Sequence, residues 1–423
     1  MTRRVAIVGA GWAGLAAAVH CVERGHAVTL FEATRTLGGR ARTLPVTLPD
    51  GSTALLDNGQ HILIGAYLET LRLMEKVGVA PGEVLLRLPL VLRDPQGNGL
   101  ALPAWPAPWD AAAGIVGARG WSWRDKLSLL RASALWQLGG FRCEPQVSVA
   151  DLTRQLTPRV REDLIEPLCV AALNTPADHS SGQVFLRVLR DALFGRGHGD
   201  WGGSNLLLPR QDLGRLLPDA AQAWLAARGA DVRIARRVQS LRPAGAGWLV
   251  DEDAFDAVLL AAPPTEAARL VQASGVAADA WLQRAHGLVY EAIATVYVTG
   301  GPRLELPMLA LRSGPGAPAQ FVFDRSHLGG PAGLLAFVVS ASDPDKQQIE
   351  AGVLRQAAAL GWAVQPLQTV VEKRATFACV PGLQRPPLAI APGLWACGDY
   401  VEGPYPATLE GAVRSALQAA QLS

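Results

Sequence analysis

Lysine is almost missing from this 423-residue chain. Lys76, Lys126, Lys346 and Lys373 are the whole complement, so nearly every basic residue is arginine. Neither sign of charge is in excess: 39 basic residues face 37 acidic ones. Without surplus positive charge the chain has little with which to hold a nucleic-acid backbone. Charge is sparse altogether, 18% against 49% hydrophobic, which excludes a disordered polyelectrolyte. The five cysteines (Cys21, Cys143, Cys169, Cys379, Cys397) are odd in number and far apart, with no CxxC pair. Structural zinc and a disulfide framework are therefore not expected, and a reducing, cytoplasmic compartment is. Long apolar runs are also scarce. Arg3-Arg4 followed by the uncharged stretch Val5–Val22 imitates a signal peptide, but Gly9, Gly11 and Gly14 interrupt it and a second strand pattern follows at once. No other run reaches the roughly 18 apolar residues of a membrane-spanning helix. What remains is a mean hydropathy of +0.18, which fits large internal apolar surfaces or contact with lipid. The length allows roughly two to three domains.

Residues 4–9 are apolar and β-branched, as in a buried parallel strand. Gly9-Ala10-Gly11-Trp12-Ala13-Gly14 follows, then an Ala-rich helix to about Arg24, and a second strand ending at Glu32. This is a βαβ unit with G-x-G-x-x-G at its first turn. Gly9 permits the turn, Gly11 lets backbone approach a pyrophosphate, and Gly14 lets helix and strand pack closely. The helix N-terminus, from Ala13 onward, faces phosphate with free N–H groups. Glu32, 18 residues past Gly14, can accept both ribose hydroxyl protons. Arg35-x-x-Gly38-Gly39-Arg40-x-x-Thr43 comes next. The glycine pair lets a loop return across the pyrophosphate, where Arg40 meets its charge. The match resembles the RxxGGRxx[ST] signature of flavin-containing amine oxidases, carotenoid desaturases and protoporphyrinogen oxidase, and it implies non-covalent FAD.

That resemblance has further implications. The strand pattern Gly393–Asp399, ending in Gly398-Asp399, returns beside the first βαβ unit, with Asp399 holding the ribityl chain or a phosphate-bound water. A helix opening near Ala407-Thr408 points its N–H groups at the flavin pyrimidine. Strands are expected at 231–234, 237–241 and 256–264, with Val238 giving backbone contacts to adenine. Asp57-Asn58-Gly59-Gln60-His61 places Gly59 and Gln60 against the isoalloxazine. The expected fold is α/β: a Rossmann-like FAD-binding domain of glutathione-reductase type, amine-oxidase-like, with an inserted α+β substrate domain. The FAD domain takes residues 1–80, 205–270 and 385–423; the substrate domain takes 81–204 and 271–384.

Asp57–Tyr67, Glu166–Pro176, Lys373–Phe377, Gly398–Tyr400 and Pro404–Glu410 together resemble the hydroxysqualene dehydroxylase family over nearly the whole chain. The resemblance implies reduced FAD, reductive loss of an allylic hydroxyl from hydroxysqualene, squalene as product, and a place in hopanoid synthesis. Such chemistry needs an acid for the leaving oxygen and a dry apolar tunnel. His61, Lys373, Tyr405 and Glu410 are the candidate acids. No second dinucleotide fingerprint is visible for NAD(P)H. Five tryptophans (Trp105, Trp109, Trp121, Trp123, Trp136) interleaved with Arg119, Arg124, Lys126 and Arg131 suit a membrane interface, so a peripheral location on the inner face of the cell membrane is expected. Three other readings compete: a carotenoid-type desaturase, an amine oxidase, and a non-enzymatic lipid carrier like Rab GDP-dissociation inhibitors. Intact Gly38, Gly39, Arg40 and Asp399 weigh against the last.

Overall fold

In the computed structural model, which describes residues 2–343 and 345–423, the first strand (Arg4–Val8) lies near the middle of a six-stranded sheet. Its order is 231–233, 27–31, 4–8, 257–260, 394–396, 389–391. The first five are parallel and the last is antiparallel. The 257–260 strand, Ala-Val-Leu-Leu, is buried at every position, as expected of a strand covered on both faces. The C-terminal strand pairs with 257–260, so that strand stands between it and the first βαβ unit. The expected strand at 237–241 does not form; those residues run as a connection, and pairing begins at Leu241.

The helix Trp12–Glu23 is buried on nearly all sides, because small alanines let it sit closely between the sheet and the last helix, Leu409–Leu422. The chain ends there: Ser423 Oγ lies 3.6 Å from Cys21 Sγ.

A second, antiparallel sheet of five strands runs in the order 308–310, 321–324, 335–342, 290–299, 365–377. Its Thr295 and Tyr297 abut the turn after the 53–57 strand: Tyr297 donates to the Asp57 carbonyl at 3.0 Å, and the Gln60 N–H reaches Thr295 Oγ1 at 3.3 Å. A small sheet joins 63–64, 206–209 and 85–88.

Helices fill 109–117, 123–138, 166–173 and 182–194. The tryptophan-rich segment divides in two here. Trp121 and Trp136 are core residues, with Trp121 Nε1 donating to Asp163 at 3.2 Å. Trp105, Trp109 and Trp123 are exposed. No described helix is long and apolar enough to cross a membrane.

Candidate active site

The site begins where the first strand turns into the first helix. Gly9 holds φ at +105°, and a Cβ there would sit 2.8 Å from the Ala261 carbonyl oxygen. A Cβ on Gly14 would come within 1.8 Å of the Gly9 carbonyl, so the helix could not approach the strand with any other residue. Gly11 differs: its nearest neighbour would be Gly39 Cα at 3.8 Å. The second glycine pair closes on the first, with Gly38 N–H donating to Ala10 O at 2.9 Å. Together they form a backbone cradle free of side chains. The first intrahelical bond runs from Leu15 to Gly11, and no side chain caps the earlier N–H groups, Ala13 included.

Glu32 is buried and well occupied. Its Oε2 accepts from Ala10 N–H at 2.8 Å, and its Oε1 accepts from both Thr34 N–H and Thr34 Oγ1 at 2.8 Å. A carboxylate offers about four lone-pair directions, so roughly one remains, on Oε2. That suits one ribose hydroxyl rather than two. Val238, buried on the connection beyond Glu32, accepts from Arg269 Nη2 through its carbonyl at 3.2 Å, while its N–H meets no protein acceptor. A buried residue with an open N–H needs a partner, which is the donor the expected adenine contact requires. A bare cradle, unpaired helix N–H groups and an open N–H beyond the ribose acid fit a dinucleotide.

Arg40 joins the distant stretches. Its Nη2 pairs with Asp399 Oδ1 at 2.6 Å, and its Nη1 donates to the Ala375 carbonyl at 2.5 Å. Asn58, whose side chain was not singled out from the sequence, donates to the Arg40 carbonyl at 3.0 Å and to Glu372 at 3.1 Å. Three other stretches therefore meet at Arg40, two of them at its guanidinium and one at its carbonyl. Gly398 is clamped by Ser415, whose Oγ accepts its N–H at 2.8 Å. Ala407 holds φ at +57°, with its N–H on the Asp399 carbonyl at 3.1 Å. The helix does not start at Ala407: Thr408 is its N-cap, and its Oγ1 takes the Gly411 N–H at 3.0 Å.

The candidate acids separate. His61 lies on the Gly59–Gln60 turn, its Nδ1 2.8 Å from the Gly59 carbonyl. Burial and the nearby Arg40 charge hold its pKa below the usual value. The Nδ1–H tautomer leaves Nε2 without a proton in the neutral ring. Lys373 is exposed on the 365–377 strand. Tyr405 is buried beside Asp191, its hydroxyl pKa raised first by burial and then by that carboxylate; its ring meets Tyr67 edge-on at 6.2 Å. Glu410 is fully buried and already engaged. It accepts from Thr70 N–H at 2.9 Å and Thr70 Oγ1 at 2.8 Å, and pairs with Arg414 at 2.7 Å. Its geometry is that of a tie between the last helix and residues 69–70.

Three residues near the site escaped the sequence reading or were only weakly marked by it. Tyr290 has a buried hydroxyl with no protein partner, and Arg40 and Asp399 are among the charges acting on it. Arg325 is 4% exposed and donates to Gln60 Oε1 at 2.9 Å, its Nε unpaired among the described residues. Asn174 takes a left-handed turn at φ +47°, donating to Thr376 Oγ1 at 2.9 Å and accepting from Ala341 N–H at 2.7 Å. No spacing in the chain announces these contacts, which cross 109 to 265 positions. One cleft of about 380 Å³, rimmed by Arg93, Asp94, Arg303 and Glu305, lies elsewhere; another of about 600 Å³ along 235–252 flanks Val238. Neither is the expected apolar tunnel.

Sheet, cradle and converging arginine define an FAD-dependent oxidoreductase. Residues 12–422 match the flavin containing amine oxidoreductase family, and the chain belongs to it. It is similar over its whole length to the hydroxysqualene dehydroxylase of Rhodopseudomonas palustris, at 29% identity covering 100% of this chain and 98% of that protein. Two further proteins of that name match at 25% and 26%. The zeta-carotene desaturase of Synechocystis is 45% identical, but over 18% of this chain and 14% of its own. A solved oxidoreductase from Methanosarcina mazei shares the fold, with a TM-score of 0.73 at 16% identity, covering 99% of this chain and 100% of that one.

Proposed function

We propose that this protein removes the hydroxyl of hydroxysqualene reductively, giving squalene and water, as a step of hopanoid synthesis. The full-length similarity to hydroxysqualene dehydroxylases carries this reading. Non-covalently bound FAD in its reduced form supplies hydride. The cradle of Gly9, Gly11, Gly14, Gly38 and Gly39, with Ala13, holds the pyrophosphate; Glu32 and Val238 hold ribose and adenine. Arg40 and Asp399, locked together, fix the cradle against the 365–377 strand. Gly59, Gln60, Gly398, Ala407 and Thr408 surround the ring system. In this reading residues 1–80, 205–270 and 385–423 form the cofactor domain, and 81–204 with 271–384 form the substrate domain, which also carries the partly exposed 105–138 segment.

The substrate hydroxyl is allylic, so protonation and departure leave a delocalised cation for hydride to quench. Among the four acids, His61 is the first candidate, because it shares the turn that carries Gly59 and Gln60. Its depressed pKa makes it a strong but scarcely populated acid, so turnover should rise as pH falls toward that pKa. Anaerobic reduction of the flavin followed by hydroxysqualene tests the reaction: flavin reoxidation with equimolar squalene supports it, and no reoxidation sinks it. His61→Phe that keeps both FAD and turnover removes that residue.

A C30 substrate gains on the order of 20 kcal/mol on leaving water, at about 0.8 kcal/mol per CH₂. It is never free in solution, which supports a peripheral position on the inner face of the cell membrane. A carotenoid-type desaturase is the second reading, favoured by the Synechocystis similarity. Product formation from phytoene instead of hydroxysqualene would select it.

A further inference from the structure

We infer that the outer face of residues 105–138 is a docking surface for an anionic lipid bilayer. Six large apolar side chains there (Trp105, Trp109, Trp123, Leu127, Leu135, Leu138) are each more than half exposed; elsewhere among the described residues only Val289 and Leu422 reach that level. On the 123–138 helix, Trp123, Leu127, Arg131 and Leu135 recur every four residues and form one outward stripe, while Asp125, Leu129, Ala132 and Trp136 are buried on the opposite face. The helix is thus apolar on both sides, and only one side has a protein partner. A capping box, with Ser122 and Asp125 bonded reciprocally, holds its start firmly.

The charge around the stripe selects the occupant. Between residues 103 and 142 the only carboxylates are Asp110 and Asp125, and both are buried. The exposed charges are all positive: Arg119, Arg124, Arg131 and Arg142. Lys126 lies over the Trp123 ring at 5.1 Å, with its ammonium on the Val116 carbonyl. Indole rings at headgroup depth, leucines below and guanidiniums on phosphate is the arrangement an in-plane interfacial helix adopts. A second copy of the chain fits poorly, since a two-fold contact would set this cationic face against itself. The preference for lipid over another protein rests in part on the triterpene reading above. The anionic preference comes from the charges alone.

The test floats the FAD-loaded protein with vesicles of pure phosphatidylcholine or of phosphatidylcholine with phosphatidylglycerol. The expected result is flotation with the anionic vesicles, weakened in high salt and with neutral ones. Trp109→Ser/Trp123→Ser/Leu127→Ser should lose it. Arg124→Gln/Arg131→Gln should lower partition by roughly fivefold per charge. No flotation of the wild type, equal flotation of the triple variant, or a wild-type dimer that the triple variant converts to monomer without changing flotation would each overturn the inference. Turnover of hydroxysqualene in detergent micelles is measured in parallel. It should be retained by both variants; its absence from the wild type would sink the catalytic reading and leave the flotation result standing.

Discussion

Arg40 is the residue on which the site closes, and its environment makes a sharp prediction. Arg40→Met leaves the Asp399 carboxylate without its cation and frees the Ala375 carbonyl. FAD affinity should fall by at least about tenfold, read as the flavin-to-protein absorbance ratio after gel filtration. Asp57 makes a second. Burial, chiefly, lifts its pKa from 3.8 to about 6; Arg325 opposes the shift, and the Leu213 N–H bonds one oxygen while the other has no partner. Between pH 4 and 6 the folded state binds more protons here than the unfolded state, so stability falls as pH rises through that window. Asp57→Asn should flatten that slope, checked by urea melts across pH. Glu410→Ala, by contrast, strands Thr70 and Arg414 and should cost about 3 kcal/mol of stability, with turnover per bound flavin little changed. Glu32, Gly9 and Gly14 were legible in the sequence because their work is local. Tyr290 and Arg325 were not, because each acquires its neighbours only when two sheets meet.

At the scale of elements, strand and helix periodicity located the βαβ unit within a residue or two, and it failed where the pattern was short. Arg237–Leu241 alternates like a strand, yet its Gln239 and Ser240 N–H groups are taken by Asp251 Oδ1 at 2.9 Å, and no ladder forms. The helix expected to open near Ala407 does so one residue on, because Ala407 has a left-handed backbone and Thr408 caps. The 365–377 strand is the element that couples the two sheets' functions: Glu372 meets Asn58, Ala375 meets Arg40, and Thr376 meets Asn174. Asn174 ends the 166–173 helix in a conformation that glycine adopts freely. Asn174→Gly should therefore keep the turn and lose both side-chain bonds. We expect a loss of about 1–3 kcal/mol, with faster amide exchange concentrated at residues 372–376. Unchanged exchange there would show that the strand holds its place without the asparagine.

For the whole molecule, composition and motifs conveyed the cofactor and family, because the pyrophosphate cradle is built from contiguous residues. They did not convey which tryptophans face outward, since Trp121 and Trp123 differ only in the side of a helix start. The proposed site draws on segments from both ends of the chain; free FAD at 100 times its dissociation constant should stabilise the protein by about 2.7 kcal/mol, visible as a rise in melting temperature over the apoprotein. The order of strands in the main sheet carries one more consequence. Residues 4–8 wait beside 257–260, and those in turn wait for 394–396. During synthesis the first motif leaves the ribosome hundreds of residues before the partners that close it. Flavin capture must therefore follow release of nearly the entire polypeptide, and a nascent chain stalled before residue 394 would emerge colourless and in need of chaperone protection.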